Sequence, residues 1–244
     1  MTTHSNTLGQ PISFPMPDWQ PAQVPGKSPM EGRYCRVEAI APGHCDDLYD
    51  AFLLDREGRN WTYLPQGPFD SRDAFNAWYV KHCADASRIT HAIRDKDTGK
   101  AIGIASYLRV DPAVGSIEVG YINFAPPLQR TRMATEAMYL MMARVFDELG
   151  YRRYEWKCDA MNAPSRRAAQ RLGFSYEGVF RQAAVVKGHN RDTAWFAAID
   201  SEWSSLRAAF EAWLAPSNFD ASGRQIERLG DLTGLVRAAS DPTL

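Results

Sequence analysis

Cysteine is scarce and scattered: Cys35, Cys45, Cys83 and Cys158 are the only four in 244 residues, and no two form a C-x-x-C pair. A disulfide framework or a structural zinc site is therefore disfavoured, and buried thiols in a reducing compartment are expected. His4, His44, His82, His91 and His189 show no metal-ligand spacing, so no metal is expected. No apolar run approaches the roughly 20 residues of a membrane span, and the start lacks the charged onset and apolar stretch of a signal peptide. A cytoplasmic protein without a membrane partner is expected. Neither sign of charge dominates: 28 Lys and Arg face 29 Asp and Glu, which disfavours a globally basic nucleic-acid binder. H-E-x-x-H, G-x-S-x-G and G-x-G-x-x-G are all missing, and Gly26-Lys27-Ser28 lacks the upstream glycine of a phosphate loop.

The chain does have length and apolar content (45% hydrophobic) for one large domain or a medium domain with extensions. Residues 1–31 hold 6 of the 15 prolines, which prevents regular helix or a central strand and predicts an extended arm. Phe14, Met16 and Trp19 are available to pin that arm to the domain or to a second subunit, so a homodimer is one expectation. Charge is uneven. Between Gln129 and Arg191, 12 basic residues face 6 acidic ones, which fits either an anionic ligand or a solvated helix face.

From Gly32 the pattern becomes globular. Strands are predicted near Tyr34–Ile40, Thr90–Arg94, Lys100–Arg109, Ile117–Phe124, Tyr154–Cys158, Ser175–Lys187 and Asp192–Ser201. Helices are predicted over His44–Leu54, from Ser71 as N-cap to near Cys83, over Ala134–Leu149, over Ser165–Leu172, and after Trp203 to about Leu214. Gly99 suits a turn position of positive φ, and Gly150 suits a helix C-cap. The sum is an α+β domain over residues 32–203 on a mostly antiparallel sheet, followed by a C-terminal helix and polar tail over 204–244.

One junction stands out. The strand ending at Phe124 is halted by Pro126-Pro127, then comes Gln129-Arg130-Thr131-Arg132-Met133-Ala134, then a long helix. Unpaired N–H groups and the macrodipole make such a helix start attractive to an anion, and arginines add bidentate geometry for phosphate oxygens. A plain connection with solvent-facing arginines has the same local signature.

Gln129-x-x-Arg132-x-Ala134 with Thr135-Glu136-Ala137 resembles the acyl-CoA pyrophosphate loop of the GNAT superfamily of N-acetyltransferases, nearest its RimJ/RimL-like branch. Asn162-x-x-Ser165, Arg171-Leu172-Gly173-Phe174, Glu177-Gly178-Val179-Phe180-Arg181 and Arg191-Asp192 follow in the order of that family. The resemblance covers about Gly32 to Trp203. It implies a mixed, mostly antiparallel twisted sheet of about seven strands flanked by helices, splayed in the middle for acyl-CoA. One departure is Arg132, where such loops usually carry glycine; a side chain there requires a negative φ.

The resemblance further implies acetyl-CoA as co-substrate. The backbone of Ile122, Asn123 and Phe124 would pair with the pantetheine arm. Leu128, Gln129 and the N–H groups of Arg130, Thr131, Arg132, Met133 and Ala134, with Thr135 beside them, would face pantetheine and pyrophosphate. Asn162 would bind the pantetheine amide; a helix cap is its other role. Ser165 is the candidate for the group near the thioester sulfur, or else a residue satisfying its own helix. Many GNAT enzymes place a tyrosine acid where this chain has Ala169.

Acetyl transfer needs a neutral amine, a polarised thioester carbonyl and a stabilised leaving thiolate. Glu118, on the strand face opposite Ile117 and Val119, is the candidate base; an exposed strand glutamate has the same pattern. Trp61, Tyr63, Trp78 and Tyr79 lie where the fold builds its acceptor side, with Asp70 and Asp73 able to favour a cationic amine, although aromatics at helical spacing also build cores. The expected activity is acetylation of a primary amine, on a protein N-terminus or a small molecule, in a ternary complex. A catalytically silent acyl-CoA-binding sensor or scaffold is the alternative, and a nucleic-acid partner is not expected.

Overall fold

The computed structural model describes residues 4–244. The N-terminal arm carries a small hairpin of β1 (His4–Ser5) and β2 (Pro11–Ile12), then runs extended to β3 (Met30–Glu31). It is tied down along the domain. Trp19 Nε1 donates to Ala113 O at 2.9 Å, and the buried Arg144 guanidinium donates to Ser28 O at 2.6 Å and Pro29 O at 3.1 Å.

The remaining strands are β4 (Cys35–Ala39), β5 (Arg88–Asp95), β6 (Ala101–Asp111), β7 (Ser116–Phe124), β8 (Arg153–Asp159), β9 (Ser175–Val186) and β10 (His189–Ile199). They form one sheet in the order β3-β4-β5-β6-β7-β8-β10-β9, antiparallel throughout except for the parallel pair β7–β8. The sheet has eight strands rather than about seven, because two residues at the end of the Pro-rich arm pair with β4. Arm prolines stop at Pro29, so Met30 and Glu31 keep the N–H groups a ladder needs.

Helices α1 (Cys45–Phe52) and α2 (Arg72–Ala84) cover one face. Ser71 Oγ accepts from Ala74 N at 3.2 Å and so starts α2. The other face carries α3 (Arg132–Ala143, extended by a π turn to Glu148), α4 (Ala163–Arg171), α5 (Asp200–Leu214) and α6 (Leu229–Gly234). Ala137, Met138, Met141, Met142 and Val145 form the buried stripe of α3 against Tyr107, Val119 and Tyr154. Gly150 ends that helix with φ 74°.

Residues after Leu214 are not a free polar tail. Asp241 accepts from Arg166 Nε and Nη2, both at 2.7 Å, Ala238 N donates to Ser175 Oγ at 2.9 Å, and Thr233 Oγ1 donates to Arg171 O at 3.0 Å. Arg166 is buried on α4 and needs a counter-charge, which this segment supplies from 75 residues away. Among the described residues no helix is long and apolar enough to cross a membrane.

Candidate active site

β7 and β8 pair only from Ser116↔Arg153 to Val119↔Trp156. Beyond that point β7 turns away. Its register on β6 shifts between Ile104↔Asn123 and Ser106↔Gly120, and Tyr121 takes φ 46°. A bulge of this kind bends its strand and leaves the β8-facing backbone edge after Val119 without a strand partner. Gly120 lets the Leu108 side chain approach closely, since a Cβ there would meet Leu108 Cδ1 at 2.6 Å and displace it. The resulting cleft holds about 2110 Å³, well above the roughly 300–1,000 Å³ of a site for one small ligand.

At one end of the cleft α3 begins. Thr131 Oγ1 donates to Leu128 O at 2.7 Å and accepts from Ala134 N at 3.1 Å. The N–H groups of Arg130, Thr131, Arg132 and Met133 find no acceptor among the described residues, the arrangement that favours an anion at a helix start. The positive φ of the turn falls on Arg130 (60°), while Arg132 is the first helical residue. A side chain at 132 therefore costs no backbone strain. Its guanidinium lies 4.3 Å from the ring centre of Phe219 and 5.4 Å from that of Tyr34, against the C-terminal segment at the cleft mouth.

The cleft brings together Glu118, Ile122, Asn123, Phe124, Gln129, Arg130, Thr131, Arg132, Ala134, Thr135, Asn162 and Ser165. Two expected residues are off its wall. Leu128 is fully buried in the core, where it fills the space that the missing side chain of Gly103 leaves. The Met133 side chain packs against the core rather than lining the cleft, and its carbonyl accepts from the Cys35 thiol. Phe124 also differs from expectation. Its carbonyl already accepts from Asn60 Nδ2 at 3.0 Å and Gln129 Nε2 at 2.8 Å, which leaves residues 120–123 as the free edge. Arg171, which the sequence reading left without a role, lines the same end, donates to Thr135 Oγ1 at 3.1 Å and lies over Trp213.

At the centre, Asn162 caps α4: its Oδ1 accepts from Ser165 N at 3.1 Å, leaving its NH₂ unengaged. Trp156 Nε1 donates to Ser165 Oγ at 3.0 Å. With that lone pair occupied, the serine retains its own O–H as a donor. Burial pushes the neighbouring Cys158 thiol up to about 11, against downward pulls from Ser165, Arg166 and Arg191. Ala169 is fully buried and offers no acid.

At the other end Glu118 is buried, not exposed. Arg109 Nη1 lies 2.5 Å and Lys157 Nζ 3.0 Å from its Oε2. Lys157 also pairs with Glu155 at 2.6 Å and sits 3.8 Å over the Trp195 ring. Lys157 alternates with Tyr154, Trp156 and Cys158 along β8; Glu155 is a partner from its own strand, while Glu118 and Trp195 come from the strands on either side. Trp61, Trp78 and Tyr79 are core residues, Trp78 and Tyr79 packed on Phe75 and Trp61 on Trp78, while Tyr63 lines the cleft and its hydroxyl donates to Met161 O at 3.2 Å. Asp70 and Asp73 lie off the cleft. Lys187, at the β9–β10 turn, donates to Trp61 O at 2.7 Å and Gly67 O at 2.6 Å and so ties that turn to the segment before α2. Among the described residues no group of three or more His, Cys, Asp or Glu is placed to hold a metal.

Residues 36–175 match the acetyltransferase (GNAT) domain family. The fold is similar to the crystal structure of a GCN5-related N-acetyltransferase from Brucella melitensis, with TM-score 0.87 and 45% identity over 90% of this chain and 100% of that one. It is also similar to a probable GNAT-family acetyltransferase from Chromobacterium violaceum, with TM-score 0.74 and 38% identity over 80% and 98%. A curated relative is the ribosomal-protein-serine acetyltransferase of Escherichia coli, 23% identical over 67% of this chain and 91% of that protein.

Proposed function

The chain belongs to the GNAT acetyltransferase family and is an acyltransferase, and from that premise we propose that it moves the acetyl group of acetyl-CoA to a primary amine by direct attack in a ternary complex. The acceptor is a protein N-terminus or a small-molecule amine. The observation that carries this reading is the divergence of β7 from β8 beside a helix start whose N–H groups are free.

The groups present fit acetyl-CoA. The free N–H groups of residues 130–133 hold the diphosphate, with Arg130 and Arg171 adding charge. The unpaired β7 edge at 120–123 accepts the pantetheine as an added strand, and the Asn162 NH₂ donates to one of its amide carbonyls. The amine nitrogen bonds to the thioester carbon as the carbon–sulfur bond breaks. Ser165 O–H donates a hydrogen bond to the departing thiolate, which solvent then protonates. Glu118 receives the proton released by nitrogen, directly or through one water. No enzyme nucleophile is needed, and Cys158, with its thiol held neutral, supplies none.

The test is thiol release from acetyl-CoA with a panel of primary amines, with the acetylated product identified by mass spectrometry and initial rates measured against both substrates. Intersecting double-reciprocal lines are expected. Saturable CoA binding with no thiol release across the panel would replace this reading with a sensor module.

A further inference from the structure

The cations of the acceptor half of the cleft are compensated, with one exception. Arg109 and Lys157 share Glu118, Arg88 pairs with Asp85, and Arg59 pairs with Glu57. Arg191 lines the cleft and forms no ion pair and no hydrogen bond among the described residues, and its buried Nε lacks a partner. The two nearest acids in sequence and across the ladder are engaged elsewhere. Asp192 accepts from Gln182 N at 2.7 Å and Asn190 Nδ2 at 3.0 Å, and Asp159 accepts from Met161 N at 2.8 Å.

The backbone aims this arginine. The β9–β10 ladder slips between Arg191↔Ala184 and Thr193↔Phe180, and Gln182 takes φ 51° inside the slip. Bulges re-aim side chains beside active sites. Ala194 pairs with Cys158 and Thr193 with Asp159 across the β8–β10 ladder, and Ala160 N donates to Asp192 O at 2.8 Å, which sets Arg191 beside the turn that leads from β8 into α4. Next along β10, Trp195 stacks on Phe180 at 4.5 Å, and its buried Nε1–H is a second donor without an acceptor. An unpaired guanidinium and an orphaned indole N–H on one strand give this cleft wall two donors without acceptors. Such a wall repels a cationic tail and matches a carboxylate, which accepts bidentately from arginine.

We propose that the acceptor carries a carboxylate a short distance from its reacting amine and that Arg191 is the residue that selects it. This deepens the proposed function and rests on it. Selection by a charge-assisted pair is expected to favour the acid over its neutral amide by at least about tenfold, since such bonds contribute about 1.5–3 kcal/mol.

The experiment uses the full-length protein with two matched sets: ω-amino acids of increasing length against their primary amides, and dipeptides ending in Glu against the same dipeptides ending in Gln. Acetylation kcat/KM is measured for wild type, Arg191→Gln and Arg191→Lys. In parallel, calorimetry follows each compound binding to CoA-saturated protein, which reads the preference even without turnover. The expected result is preference for the acids in wild type, its loss in Arg191→Gln, its partial return in Arg191→Lys, and an unchanged KM for acetyl-CoA. Equal use and binding of acids and amides by wild type overturns the inference while leaving acetyl transfer standing. A rise in acetyl-CoA KM in Arg191→Gln also overturns it, by assigning the arginine to the cofactor. Acid-selective binding without turnover of any amine supports the inference and refutes the proposed function.

Discussion

Glu136 is the buried acid of the first turns of α3, and replacing it by glutamine should loosen the helix that carries the anion site. Its Oε1 accepts from Arg33 N at 2.7 Å, and its Oε2 accepts from Tyr34 N at 2.7 Å and Cys35 N at 2.9 Å. The turn between β3 and β4 is thus wrapped around one carboxylate, and Gly32 is kept bare because a Cβ there would meet Glu136 Oε2 at 2.3 Å. Hydrogen bonds to a charged group contribute about 1.5–3 kcal/mol each. Glutamine retains one acceptor oxygen and turns an NH₂ toward a backbone N–H, so at least one bond is lost and a donor faces a donor. The expected cost is about 2–4 kcal/mol, or a fall in Tm of about 5–12 °C for a chain of this size. Urea unfolding followed by circular dichroism gives the free energy, and acetyl-CoA titration gives the effect on the site, where a weaker affinity is expected. A variant within about 0.5 kcal/mol of wild type, at the level of an ordinary surface change, would show that these three contacts do not hold α3 in place.

Asn162→Asp keeps the oxygen that caps α4 but removes the NH₂, so stability should hold within about 0.5 kcal/mol while the KM for acetyl-CoA rises; Asn162→Ala should lose both. Ser165→Ala should lower kcat by about 10- to 100-fold with little change in acetyl-CoA binding, and equal turnover would remove the serine from the reaction. Burial pushes both His82 and His91 down to about 4 from an ordinary 6.5. The neutral folded form is then fully favoured above pH 6.5, and stability falls as pH drops from 6.5 toward 4, by up to about 3 kcal/mol per histidine. His91→Leu should flatten that slope in urea titrations at stepped pH, and an unchanged slope would contradict the assignment.

Local chemistry explains what was legible in the chain. Alternation set the strands, a serine cap set α2, the 134–149 stripe set α3, and Gly99 and Gly150 take positive φ where the turns require it. The anion-ready helix start was visible because proline, polar turn and amphipathic stripe are adjacent in sequence. Features made by distant partners were not visible. Glu118 is buried where Arg109 and Lys157 from two neighbouring strands converge on it, and the C-terminal segment is held by Leu229 in the core, by Asp241 on the buried Arg166 and by the Ser175 and Arg171 contacts, all distant in sequence. Leu128 read as a cleft residue because sequence gives no side-chain direction within an irregular turn. Arg132 stands where related loops usually carry glycine and needed a negative φ, and it has one because the positive φ of the turn falls two positions earlier, at Arg130.

The most direct test is a crystal structure of the protein with CoA. The account predicts pantetheine laid along residues 120–123 in place of the missing strand, the sulfur beside Ser165 Oγ, and diphosphate oxygens within hydrogen-bond distance of the N–H groups of residues 130–133. A diphosphate bound elsewhere, with the gap between β7 and β8 left empty or closed, would contradict it.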